Sequence, residues 1–148
     1  MEIAELEAEA ADLVLPDFDE GTAWRLGQSL VALALADALP VVIDIRTPDR
    51  TLFHAALPGS APVNDLWALR KSRTAFLFQK PSLLVGRRLQ AKAETVAKHG
   101  LDPAHHAVEG GAVPIRVRAA GVVAVVTVSG LTQVEDHILA VRGLRTLL

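Results

Sequence analysis

The stretch 121-GVVAVVTVSGLTQVEDH-137 decides how this chain folds. Residues 122–128 are almost uniformly apolar, so the segment has no solvent face and reads as a central strand covered on both sides. Ser129-Gly130 ends it, and Thr132 followed three residues later by Glu135 fits a capping box that opens a helix. Asp136 falls in the first turn, where a negative charge suits the helix dipole. Val134, Ile138, Val141, Leu144 and Leu148 form the stripe expected to face the core, with His137 on its flank, aimed at a cleft or an interface. The corner has two readings. It is a helix cap, or its small polar pair leaves backbone N–H groups free for a carboxylate or phosphate.

A strand buried on both faces needs layers above and below, and the rest of the chain supplies them. Residues 113–118 alternate, with Val113, Ile115 and Val117 one way and Pro114, Arg116 and Arg118 the other. VVIDIR (41–46) and TLFHAAL (51–57) flank TPDR and predict a hairpin. A four-residue TPDR loop sets Ile43 opposite His54 and Asp44 opposite Phe53, which places His54 on the face of Val41, Ile43, Ile45 and Leu52. The opening EIAELEAEAADLVL predicts an acidic helix and a short strand near Leu13–Leu15, ended by Pro16. Asp19 caps a helix with Leu26, Leu30, Leu33 and Ala34 inward, closed by Pro40. Residues 64–78 read as helix. Ser82 caps another with a stripe of Val85, Leu89, Ala93 and Val96, ending at His99-Gly100, and Asp102-Pro103 starts a short turn. With no repeat or linker, the expectation is one α/β (α+β) domain over 1–148. It is an antiparallel β-sheet with helices packed against it, in the order β-β-α-α-β-β-α after the N-terminal helices.

Composition bounds the function. Of 148 residues, 51% are apolar and only 4% aromatic, so Val, Leu, Ile and Ala must fill the core. Mean hydropathy is positive, which suggests apolar surface buried between subunits and hence a homo-oligomer, dimer or larger. No apolar run approaches the ~20 residues of a membrane span, the start is acidic where a secretory signal is basic, and Cys is absent. The expectation is a cytoplasmic protein without a membrane partner. A net charge of −2 argues against nucleic acid. Charge is nevertheless segregated: residues 1–20 carry eight acids and no Lys or Arg, while residues 70–98 carry eight of the fifteen basic residues against one acid. That asymmetry fits a solvated face, contacts between subunits or an anion site.

Local motifs assign no reaction. The five histidines (His54, His99, His105, His106 and His137) lack metal-ligand spacing, so no metal site is expected. There is no nucleophile elbow or phosphate loop, and Gly110-Gly111 precedes a strand rather than a helix. Whether the chain is an enzyme stays open.

A resemblance sharpens this. TAWRLG (22–27), LPVVIDIR (39–46), LFHAALPG (52–59), Asn64 with Trp67 and Arg70-Lys71, LVG (84–86), GGAVPI (110–115) and TVSGLTQVEDH (127–137) together resemble an uncharacterised family of the haem-degrading domain (GlcG/HbpS-like) superfamily. The resemblance implies a profilin-like α/β sandwich that forms homo-oligomers, in a superfamily linked to haem binding or degradation and to small-molecule metabolism. It nominates as ligand-binding His54, Trp67, Arg70, Lys71, Ser82, Gly110, Gly111, Ser129, Gly130, Asp136 and His137. If the cofactor is haem, which rests on resemblance alone, His54 or His137 is the natural iron ligand, and Arg70 and Lys71 neutralise its carboxylates. The sequence departs from the family pattern at Pro81 for Ser, Leu83 for an aromatic, Val113 for Phe and Arg73 for Asn, making one pocket wall less polar. The function implied is an oligomeric small-ligand-binding protein, for haem or another anionic molecule. The alternative is a non-enzymatic homo-oligomeric adaptor or scaffold, and an enzyme of small-molecule or haem metabolism is a third option.

Overall fold

A computed structural model describes residues 1–148. The elements are α1 (Ile3–Asp12), β1 (Val14–Leu15), α2 (Glu20–Ala36), β2 (Val42–Arg46), β3 (Thr51–Ala56), α3 (Pro62–Phe78), α4 (Ser82–Ala91), a 3-10 turn (Val96–His99), β4 (Ala112–Val117), β5 (Gly121–Ser129) and α5 (Gln133–Arg145). The sheet has five strands in the order β1-β4-β5-β2-β3, so β5 is central and is buried from Ala124 to Ser129. Its four longer strands are antiparallel, as the hairpin signals predict. The two-residue β1 adds in parallel beside β4, which makes the sheet mixed. No helix is long and apolar enough to cross a membrane.

The sheet's two faces differ in chemistry. On one, α2 and α5 lay Leu26, Leu30, Ala34, Ala140 and Leu144 against Ile43, Ile45, Ile115, Val126 and Val128, within a cluster of 19 buried apolar residues. On the other, α3 meets the sheet through a cluster of three, Ala75, Ala112 and Val125. Around that cluster the buried groups are polar: Asp44, Lys71, Ser72, Thr74, Ser82, Thr127 and Ser129.

Four sequence expectations shift. In the hairpin, Arg46 pairs with Thr51 as the loop length predicts, but Ile45 pairs with Phe53, leaving Leu52 as an extra residue. That bulge displaces the register by one, so Asp44 pairs with His54 and Ile43 with Ala55. His54 therefore lies beside Asp44 on the α3 side, not with Val41, Ile43 and Ile45. In α5 the buried side is Leu139, Ala140, Val141, Gly143 and Leu144, whereas Ile138 is 45% and Leu148 58% exposed. The helix is covered by both the sheet and α2, so its buried band is wider than one stripe and rotated from the predicted one. Helix α4 stops at Ala91, and Ala93 takes a left-handed backbone at φ 53 and stays exposed. The 3-10 turn then returns Val96 to Val85 and Leu89. Ser82 is not the cap of α4 but its first residue, with Pro81 in the cap position. Its hydroxyl is buried and accepts the Ala112 N–H at 3.1 Å.

Candidate functional site: the corner cleft

The site grows from the end of β5. Gly130 turns the chain at φ 147, and a side chain there would strike the Pro40 carbonyl, so only glycine fits. The Thr132 hydroxyl accepts the Glu135 N–H at 3.3 Å and caps α5, but Glu135 stays exposed and returns no bond, so half of the expected capping box forms. Asp136 reaches back instead. Its carboxylate accepts from the Leu131 N–H at 2.9 Å, the Gly130 N–H at 3.3 Å and Lys71 Nζ at 2.9 Å. The N–H groups expected to be open to an outside anion are thus held by the chain's own carboxylate.

Lys71 comes from α3, on the polar side of the sheet, and also donates to the Val128 carbonyl at 3.3 Å. Gly111, at φ 139, makes room for it: a Cβ there would lie 2.9 Å from Lys71 Nζ and collide with the Val128 carbonyl. The side chains of Lys71 and Asp136 are only 4% and 1% exposed. Burial holds the Asp136 carboxyl above the usual carboxylate range, against the pull of the Lys71 ammonium and of the Leu131 and Gly130 N–H groups. A buried ion pair is a costly element to build into a fold, and buried titratable groups at a cleft mark candidate functional sites.

Above the pair lies a cleft of about 220 Å³, walled by Asn64, Trp67, Glu109, Ser129, Gly130 and Gln133. The Arg70 guanidinium stacks 4.3 Å from the Trp67 ring and donates to the Pro103 carbonyl at 2.9 Å. The Gln133 side chain accepts the Gly110 N–H at 3.1 Å and fixes the opposite wall. Gln133 and Glu109 also line a neighbouring groove of about 520 Å³, which Arg70 shares.

Of the nominated residues, Trp67, Lys71, Ser129, Gly130 and Asp136 meet in this cleft. Gly110 and Gly111 form its back, Arg70 joins it through Trp67, and Ser82 lies behind, bonded to Ala112. The two histidines lie elsewhere. His54 Nδ1 is 2.7 Å from Asp44 and its Nε2 is 2.6 Å from Asp65 of α3, while Arg46 grips Asp44 through two bonds of 2.6 and 2.8 Å. Partial burial disfavours the charged ring, but the Asp44 and Asp65 hydrogen bonds outweigh it and raise the His54 pKa. With both nitrogens donating to carboxylates, His54 has no lone pair to give. His137 is fully buried, its Nε2 2.6 Å from Glu9 of α1 and its Nδ1 enclosed without a partner. Iron ligation at either histidine does not fit, and the cleft is smaller than the ~300–1,000 Å³ of typical cofactor sites. Sequence reasoning missed Glu109 and Gln133, which carry no local signal, since only the fold brings them beside Trp67.

Residues 18–145 match the family described as haem degrading protein HbpS-like. The chain belongs to this HbpS-like family. A UPF0303 protein of Streptomyces avermitilis is 50% identical over 143 residues, covering 96% of this chain and 88% of the relative. Among solved structures, Ybr137w superposes on this HbpS-like chain with a TM-score of 0.90 at 32% identity, covering 99% of it and 88% of Ybr137w. A PduOC:heme complex shares the fold at a TM-score of 0.71 and 17% identity, with 91% and 96% covered.

Proposed function

We propose that this HbpS-like chain is a small-ligand-binding protein whose corner cleft receives the acid group of an organic anion. The observation that carries this reading is the buried Lys71–Asp136 pair at the floor of a cleft walled by Trp67. Lys71, the Asn64 amide and the Ser129 hydroxyl offer donors, and Trp67 offers a flat apolar wall. Asp136 cancels the charge of Lys71, and Glu109 stands at the rim, so a single carboxylate suits the cleft better than a phosphate dianion. Family membership and the PduOC:heme neighbour make haem one candidate ligand. Exposed Trp24, Leu66, Leu77 and Leu148 favour assembly with further copies of the chain, and the absence of cysteine suits the cytoplasm. The scaffold alternative keeps only that apolar surface in its favour. One pair from the two segregated charge regions is made within the chain, where Arg88 of α4 pairs with Glu7 of α1 at 2.6 Å.

Trp67 is its own reporter once the second tryptophan is removed. In the full-length Trp24→Phe protein, acetate and succinate should change Trp67 emission saturably, phosphate much less. Ser129→Ala and Asn64→Ala should weaken the carboxylate response several-fold. Unchanged emission with every anion, or unchanged affinity in both variants, rules the reading out.

A further inference from the structure

The polar groups that the corner cleft leaves unused describe its ligand more narrowly than an acid group alone. Asn64 accepts the Ala61 N–H at 2.9 Å through its side-chain oxygen, so its amide nitrogen is the end left for a ligand. Gln133 is fixed in the same way, its oxygen taken by the Gly110 N–H at 3.1 Å. Lys71 gives N–H groups to Asp136 and to the Val128 carbonyl, and an ammonium has a third. Ser129 is 2% exposed, lines the cleft and makes no side-chain hydrogen bond within the chain. An enclosed hydroxyl of that kind gains most from a partner supplied by a ligand.

Against these donors the walls set one carboxylate without a partner. Asp136 already accepts from Lys71, Gly130 and Leu131, whereas the exposed Glu109 has neither a hydrogen bond nor an ion pair. Lys71, Asp136 and Glu109 are the charged residues of the wall, which leaves one negative charge in excess. The Arg70 guanidinium is turned to the Pro103 carbonyl and the Trp67 ring instead. A bare carboxylate meets that excess uncompensated, and a ligand that also carries an ammonium group cancels it.

We propose that the ligand of the corner cleft is the zwitterion of an apolar amino acid. Its carboxylate meets Lys71, Ser129 and Asn64, its ammonium group meets Glu109, and its side chain lies along Trp67. This rests on the reading of the cleft as a carboxylate site and names the molecule that carries the carboxylate.

Titration of the full-length Trp24→Phe protein tests it, with Trp67 emission read against three molecules of one shape. These are L-leucine, 4-methylpentanoate, which lacks the amine, and 3-methylbutylamine, which lacks the acid. L-Leucine should bind about two- to fivefold more tightly than 4-methylpentanoate, the scale of an ion pair open to solvent. The amine should give no saturable change. Glu109→Gln should bring L-leucine down to the affinity of 4-methylpentanoate without weakening the latter, and should leave Tm unchanged, because Glu109 has no bond to lose. Ser129→Ala should weaken both acids by the same factor. Overturning results are equal affinity for the two acids, a preference kept in Glu109→Gln, or saturable binding of the amine alone. Equal affinity removes the zwitterion and leaves the carboxylate cleft standing, whereas silence with all three molecules removes both.

Discussion

The two faces of the sheet solve the same packing problem with opposite materials. Against α2 and α5 the contact is apolar and continuous, a cluster of 19 buried residues with no polar group required. Against α3 the apolar contact shrinks to three residues, and the remaining contact is made by Lys71, Ser72, Thr74, Asp44 and Thr127. The first face tolerates substitution as long as volume is kept, because dispersion and burial are non-directional. The second depends on partners, because each buried polar group loses its hydration whether or not its bond survives. Stability is concentrated on one face and chemistry on the other.

Removing one member of the buried pair should break the polar face hardest. Asp136→Ala leaves Lys71 charged and enclosed, and should cost roughly 3–5 kcal/mol in chemical denaturation. Lys71→Met with Asp136→Leu should recover much of that, and a double-mutant cycle that came out additive would contradict the coupling. On the apolar face, Leu30→Ala should cost about 2–5 kcal/mol through the cavity it leaves, and its effect should add to that of Asp136→Ala. Thr132→Ala should cost only about 0.5 to 1 kcal/mol, the scale of a lost helix cap, measurable as a small fall in Tm.

The smallest effect is the most diagnostic, since it depends on pH. His54 has its pKa raised in the fold by Asp44 and Asp65. Its contribution is fully present below the unfolded value of ~6.5 and is lost as pH rises through the folded value. The stability gap between the parent and His54→Gln should therefore narrow as pH increases, most visibly above neutrality. A gap independent of pH between 5.5 and 9 would show that the ring acts by packing alone.

What the sequence made legible follows from range. The uniform apolar run of β5, the hairpin halves and the Asp19 cap are local signals, and each element stands where those signals put it. The hairpin register was not legible, because a bulge at Leu52 is a backbone event that no residue type announces. At the site, Trp67, Lys71, Ser129, Gly130 and Asp136 each carried a family signal, yet the bond between Lys71 and Asp136 joins residues 65 apart. No pattern in the chain foretells that Asp136 satisfies the Gly130 and Leu131 N–H groups from within.

The one unpaired residue of the hairpin acts as a parity bit. Because Leu52 bulges out instead of pairing with Ile45, every position from Phe53 onward is read on the opposite side, and an imidazole that would sit among Val41, Ile43 and Ile45 joins a chain of charges running Arg46, Asp44, His54, Asp65. Deleting that single residue would remove the bulge and keep Phe53 opposite Ile45 and His54 opposite Asp44, whereas pairing Leu52 with Ile45 would invert the strand and turn His54 into the apolar layer and Phe53 towards Asp44. A loop insertion changes length, but an extra residue inside a strand exchanges inside for outside unless a bulge absorbs it. A relative that lacked the bulged residue would keep its chemistry on the same side of the sheet, and one that paired it would move that chemistry to the other.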